Sequence, residues 1–265
     1  VSHDAHFYVL ALSQDEFRLL HGTAHGMNPI QLPEDVPTSL EEALQLDDPE
    51  AQLNVRTSAT SYRGEGDHPS VYHGHPPEDE HKHNIRRYCR HIDGAITELI
   101  HDDHTPLVLA GVGYVRAIYR DVNNYPTLLD EGIDGNPEHM ALEDLHRQAW
   151  ALIEPLIIQD RQEALEQYQA LRGRDDEQAT DDLERVVRAA HYGQIDTLFV
   201  ARAGHRWGRF DQQTGRVQFH DEAGPENRDL LDEAAVYALK NGGTVYVMGP
   251  DVMPGETAVA AVLRY

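Results

Sequence analysis

Ile85-Arg86-Arg87-Tyr88-Cys89-Arg90-His91-Ile92-Asp93-Gly94-Ala95-Ile96-Thr97-Glu98-Leu99-Ile100-His101 and, a short connection later, Leu107-Val108-Leu109-Ala110 decide how the first half of this chain folds. In the first stretch Ile85, Cys89, Ile92, Ile96, Leu99 and Ile100 recur at three- and four-residue spacing, which predicts a helix over 85–101 with one apolar face. The second stretch is a brief, continuous apolar run and reads as a buried strand. A helix feeding a buried strand is the repeating unit of α/β folds. Toward the N-terminus, the apolar runs 6–13, 16–23 and 26–32 predict a three-stranded meander. Thr38-Ser39-Leu40-Glu41-Glu42 then carries two overlapping capping-box spacings, which predict a short helix to about Leu46. Residues 47–84 are polar and rich in Gly, Pro, Ser and His, too long for an ordinary connection, and read as a His-rich loop that is either functional or mobile.

Toward the C-terminus the pattern alternates. Residues 111–122 read as helix, and 127–133 as strand ending in the turn Asp134-Gly135-Asn136-Pro137. Residues 140–154 read as a helix that Pro155 should interrupt, with Leu165, Tyr168 and Leu171 resuming afterwards. The domain boundary is therefore expected at 154/155, giving units 1–154 and 155–265. The second unit begins with an acidic, solvated connection over 173–182. Asp181-x-x-Glu184 is expected to cap the next helix, followed by a strand at 196–201. Residues 206–211 and 216–219 flank the turn Gln212-Gln213-Thr214-Gly215 as a hairpin, and a helix at 230–239 precedes closing strands at 244–248 and 258–263. The apolar alternation begins already at Phe7, which leads us to expect a further domain upstream.

The charge balance limits the partners. Lys plus Arg number 22 against 46 Asp plus Glu, a formal charge of −24, and Lys82 and Lys240 are the two lysines. General polyanion binding needs clustered cations to neutralise phosphates, so DNA is not expected as a partner and any RNA contact must use a local patch. Such acidity suits a salt-rich cytoplasm. The single cysteine, Cys89, rules out an intrachain disulfide framework and any multi-cysteine zinc site, and fits a reducing, cytoplasmic compartment. No run approaches the 18 or so apolar residues of a membrane span, so no membrane partner is expected.

Two basic patches stand out. At 100° per residue His83, Arg86, Arg87, Arg90 and His101 fall opposite the apolar stripe of the 85–101 helix, a face able to meet phosphate. The same face also suits ion pairs with Glu78, Asp79 and Glu80. Arg202, His205, Arg206 and Arg209 surround Trp207 and make a basic edge for RNA or protein. Histidine is concentrated before residue 155, where 14 of the 17 lie. His73, His75, His81 and His83 are the weak metal-ligand candidates, weak because their spacing alone closes no site. Cys89 sits on the core stripe and reads as a small buried hydrophobe rather than a nucleophile. Gly111-Val112-Gly113 follows a strand, but Arg116 replaces the third glycine of a dinucleotide fingerprint, and no P-loop is present. No cofactor is expected.

Several of these segments together resemble a known family. Asp182-Leu183-Glu184-Arg185, Gly193-Gln194-Ile195-Asp196-Thr197-Leu198-Phe199-Val200, Gly242-Gly243-Thr244-Val245-Tyr246-Val247 and the terminal Leu263-Arg264-Tyr265 are similar to the third domain of eukaryotic and archaeal class-I release factors. Leu107-Val108-Leu109-Ala110-Gly111 after a long amphipathic helix resembles their central domain. Asp47-Asp48-Pro49, Tyr72-His73-Gly74-His75, Gly132-Ile133-Asp134-Gly135-Asn136-Pro137 and Arg206-Trp207-Gly208-Arg209-Phe210 look like the bacterial branch of this release-factor and Pelota superfamily.

The resemblance implies a ribonuclease-H-like central domain and a C-terminal α/β/α domain like the kink-turn-binding ribosomal proteins. Release factors of this kind place a Gly-Gly-Gln loop in the peptidyl-transferase centre. Here the corresponding loop lacks that motif and carries His73-Gly74-His75 instead. Pelota-like proteins share the fold, also lack the motif, and act in rescue. The resemblance thus implies a ribosome-associated factor of rescue or hibernation that binds at the A site, in contact with tRNA, through His73, Gly74, His75, His83, Arg86, Arg87 and Arg90. The Arg202, His205, Arg206 and Arg209 edge would meet a partner translational GTPase or ribosomal RNA. Two other readings stay open: a peptidyl-tRNA hydrolase in which His73 or His75 positions or activates water, and an acidic protein-binding stress module that does not act on RNA.

Overall fold

A computed structural model describes residues 6–33, 36–47, 77–100, 105–174, 176–255 and 257–265. The chain divides at Glu154/Pro155 into two compact units.

The first unit is built on a five-stranded sheet. Strands β1 (Phe7–Leu12), β2 (Phe17–Thr23) and β3 (Gly26–Pro29) form the meander, and β4 (Leu107–Gly111) and β5 (Leu128–Asp134) follow in parallel, giving the order β3-β2-β1-β4-β5. That order, with β1 and β4 parallel in the register Tyr8↔Leu107 to Ala11↔Ala110, is the ribonuclease-H-like arrangement. The turn after β1 is held by Ser13, whose Oγ accepts the N–H groups of Asp15 at 3.1 Å and Glu16 at 2.9 Å. One face of the sheet carries Leu10, Leu12 and Leu109, and packs on Ile85, Tyr88, Cys89, Ile92 and Ile96 of helix α2 (Pro77–Leu99) and on Val115 and Tyr119 of α3 (Gly113–Val122). Helix α1 (Leu40–Asp47) adds Ala43 to this cluster. At its start Glu42 N–H donates to Ser39 Oγ at 3.2 Å, while the Glu42 carboxylate accepts the Thr38 N–H at 2.7 Å, a capping box that holds the Glu42 carboxyl below its usual range. On the opposite sheet face Phe7 meets Trp150 and His146 of helix α4 (Leu142–Arg172).

The structure moves two boundaries in this unit. The helix expected from residue 85 begins at Pro77, so 77–84 are helical rather than loop; proline suits a first helical position because its missing N–H has no partner there anyway. Pro155 does not interrupt α4, which runs on to Arg172. Proline inside a helix costs about 3 kcal/mol or more, and burial on either side offsets it: Leu145, Ala149 and Ile153 before it and Tyr168 after it are fully or almost fully buried.

The second unit is an α/β/α layer around the mixed sheet β11-β7-β12-β6, made of β7 (Ile195–Ala201), β11 (Thr244–Met248), β12 (Val259–Leu263) and β6 (Ala179–Thr180). Helices α5 (Leu183–His191) and α6 (Leu230–Lys240) cover one face through Val186, Val187, Ala190, Leu231, Ala234 and Ala238. The other face packs Phe199, Ala260 and Val262 against Tyr168 of α4. A small sheet of β8 (Trp207–Asp211), β9 (Arg216–Phe219) and β10 (Arg228–Asp229) stands beside them in the order β10-β8-β9.

Two differences from the sequence expectation arise here. The 173–182 connection contains β6, invisible as a pattern because it is two residues long and pairs only in tertiary structure, Ala179 with Val262 and Thr180 with Ala261. With β6 fixing the chain just upstream, Asp182 rather than Asp181 caps α5, accepting the Glu184 N–H at 3.0 Å.

Candidate functional site

Helix α2 places the first basic patch. Its apolar stripe is buried against the sheet, and burial pushes the Cys89 thiol up to about 12. On the other side His83 and Arg90 are exposed while Arg86 and Arg87 are half-buried. Arg86 Nη2 meets Asp121 Oδ2 of α3 at 2.9 Å, so this cation is tied to the neighbouring helix. His81 and His83 stand two residues apart on one helix, and such side chains point in different directions. Among the described residues no three His, Cys, Asp or Glu side chains come together to hold a metal. His73, Gly74, His75 and His101 lie outside the described residues.

The same helix carries a residue that sequence reasoning missed. Asp93 is buried and accepts the backbone N–H of Asn124 at 3.0 Å and its side-chain amide at 2.6 Å, anchoring the loop between α3 and β5. Its carboxylate also helps hold the Tyr119 hydroxyl above its ordinary range, after burial as the main cause. An acid next to Ile92 on a core stripe was the available signal.

The acids of this sheet lie on one strand. Neither β1 nor β4 carries one, and on β5 Asp134 is paired with Arg116 while Asp130 takes Arg120 through its carbonyl at 2.5 Å. Nuclease chemistry of the two-metal type needs converging acids, which these strands do not present.

The second patch surrounds the β8–β9 hairpin. Its turn is set by Asp211, whose carboxylate accepts the N–H groups of Gln213 at 2.9 Å and Thr214 at 3.2 Å, and by Gly215 at φ +68°. The Thr214 hydroxyl first, and then these two N–H groups, hold the Asp211 carboxyl below its usual range. Arg202, Arg206 and Arg209 are exposed. His205 is drawn into a fixed assembly: Nδ1 donates to Asp229 Oδ2 at 2.6 Å, and the ring stacks on Trp207 with centroids 5.7 Å apart and 13° between planes. Asp229 also caps α6, accepting the N–H groups of Arg206 and Leu231 at 3.1 Å each.

Residues 6–194 match the family described as Bacterial archaeo-eukaryotic release factor family 3. The chain belongs to that family. Among solved structures, this release-factor family member is similar to a ribosome-bound archaeal Pelota described together with ABCE1, at 14% identity and a TM-score of 0.45, over 100% of this chain and 63% of that one. It is also similar to Dom34 of S. cerevisiae, described as a translation termination-like factor of RNA quality control that interacts with Hbs1, at 13% identity and a TM-score of 0.43, over 98% of this chain and 62% of that one. The C-terminal domain of a peptide chain release factor from Methanosarcina mazei aligns at 15% identity and a TM-score of 0.37, over 47% of this chain and 93% of that one. The chain spans less than two thirds of the Pelota and Dom34 chains in these structures. No curated protein matches it. Among the described residues of this family member no helix is long and apolar enough to cross a membrane.

Proposed function

We propose that this release-factor family member is a ribosome-associated translation factor that binds at the A site without a Gly-Gly-Gln motif, in rescue or hibernation rather than in termination. The family match over 6–194 carries the reading, because it takes in the sheet, α2 and the loop that the resemblance sets against the Gly-Gly-Gln loop of release factors. The exposed His83 and Arg90 on α2, beside Arg87, support a local RNA contact on a chain whose net charge of −24 disfavours any broader one. A translational GTPase is the proposed partner of the second unit, at the Arg202, Arg206 and Arg209 edge.

Co-sedimentation with purified ribosomes over a salt series tests this, comparing empty particles with particles carrying peptidyl-tRNA. Saturable binding that favours one state and weakens in Arg87→Ala/Arg90→Ala is expected. Absence of binding at every salt concentration would overturn the ribosome reading and leave the acidic protein-binding module. Peptide release that is lost in His73→Ala/His75→Ala would instead favour the hydrolase.

A further inference from the structure

We propose that the cleft between the start of α5 and the β8–β9 hairpin is a docking site for an arginine-bearing segment of a partner protein. The cleft encloses about 610 Å³, within the roughly 300–1,000 Å³ typical of ligand pockets. It shares Arg206 with the basic edge next to it, but the other Asp, Glu, Lys or Arg side chains that line it are acids. Asp181, Asp182 and Asp221 line it against the single guanidinium of Arg206. Arg172 engages Asp181 at 2.9 Å and Asp182 uses one oxygen as the α5 cap, while Asp182 and Asp221 are both exposed. The first turn of α5 already holds Glu184, so the positive end of its dipole is balanced within the helix itself. On a chain of net charge −24, such a cleft favours a cation over a phosphate.

The aromatic wall narrows the choice of cation. Phe219 is 53% exposed at the rim, and Trp207 lies under His205, whose ring is locked by Asp229. Asp229 is only 10% exposed and holds two backbone N–H groups as well, so this wall is set before any ligand arrives. A guanidinium is flat, stacks on aromatic faces and takes carboxylates bidentately, which a lysine ammonium does not. Rings beside carboxylates therefore fit arginine best. The site does not depend on ribosome binding.

The test uses the whole chain with Trp150→Phe, which leaves Trp207 as the only tryptophan. Its emission is followed while an Arg-Gly repeat peptide, the same peptide with Lys for Arg, or a single-stranded RNA of similar length is added; calorimetry on the unsubstituted chain gives a second readout. The expected result is a saturable change with the arginine peptide, weaker with lysine, and an affinity reduced at least about fivefold in Asp182→Asn/Asp221→Asn. Asparagine keeps the α5 cap, so that variant retains the helix. Removing two charges on α4, Glu163→Gln/Glu166→Gln, should leave the affinity unchanged. No saturation with the arginine peptide, equal loss in the α4 variant, or saturation by RNA alone would each overturn the proposal.

Discussion

Asp93 of α2 and Asn124, in the loop after α3, are joined by two hydrogen bonds to a single buried carboxylate, at 3.0 and 2.6 Å. Hydrogen bonds to a charged group contribute about 1.5–3 kcal/mol, and Asp93→Ala should lower the unfolding free energy by about that much. Urea titration measures it, and a double-mutant cycle with Asn124→Ala should return a coupling energy well above zero. A loss within about 0.5 kcal/mol would show that the loop holds without this anchor.

Alkali should destabilise the first unit. The folded Cys89 thiol is pushed up from 9.0 to about 12 by burial, and Tyr88 and Tyr119 are raised for the same reason. The folded state therefore keeps protons that the unfolded chain releases, so this stability is complete below pH 9 and declines as pH rises toward 12. Urea midpoints at successive pH values should show the decline, and Cys89→Ala should make it shallower. In the native chain at pH 8 the thiol should resist a disulfide reagent that labels it at once in urea.

Two glycines should respond with opposite sign to alanine. Gly193 ends α5 at φ +72°, where a Cβ costs about 1–2 kcal/mol, so Gly193→Ala should lower the melting temperature. Gly94 is exposed in the middle of α2 with nothing within 4 Å of an added Cβ, so Gly94→Ala should stabilise the chain by about 0.5–1 kcal/mol. Thermal unfolding of both variants by circular dichroism checks the pair, and a stabilised Gly193→Ala would contradict the helix ending described.

Arg86 and Arg90 should separate in ribosome binding. Arg86 already holds Asp121 at 2.9 Å, whereas Arg90 is exposed. Arg90→Ala should therefore weaken co-sedimentation and reduce its salt dependence more than Arg86→Ala does. Equal effects would argue that Arg86 leaves Asp121 on binding. Neither change should cost more than about 1 kcal/mol of stability, because exposed ion pairs contribute little.

What the sequence determined by itself is the part that repeats along one chain direction. The stripe from Ile85 to Ile96 and the run Leu107 to Ala110 impose one helix face and one buried strand whatever packs on them, and the meander, the hairpin turn ending in Gly215 and the helix from Leu230 were legible for the same reason: period and turn chemistry are local. Tertiary structure decided the rest. Pro155 stays inside a helix because burial on both sides outweighs a local penalty, and the two-residue strand at Ala179 exists only because β12 is there to pair with it. The sites follow the same division. Residue type identified Arg86 and His205 as basic, but Asp121 lies 35 residues from the one and Asp229 24 from the other, and those partners settle how much of each side chain is offered outward. A charge is a property of its residue, whereas its availability depends on which neighbours the fold brings within about 4 Å.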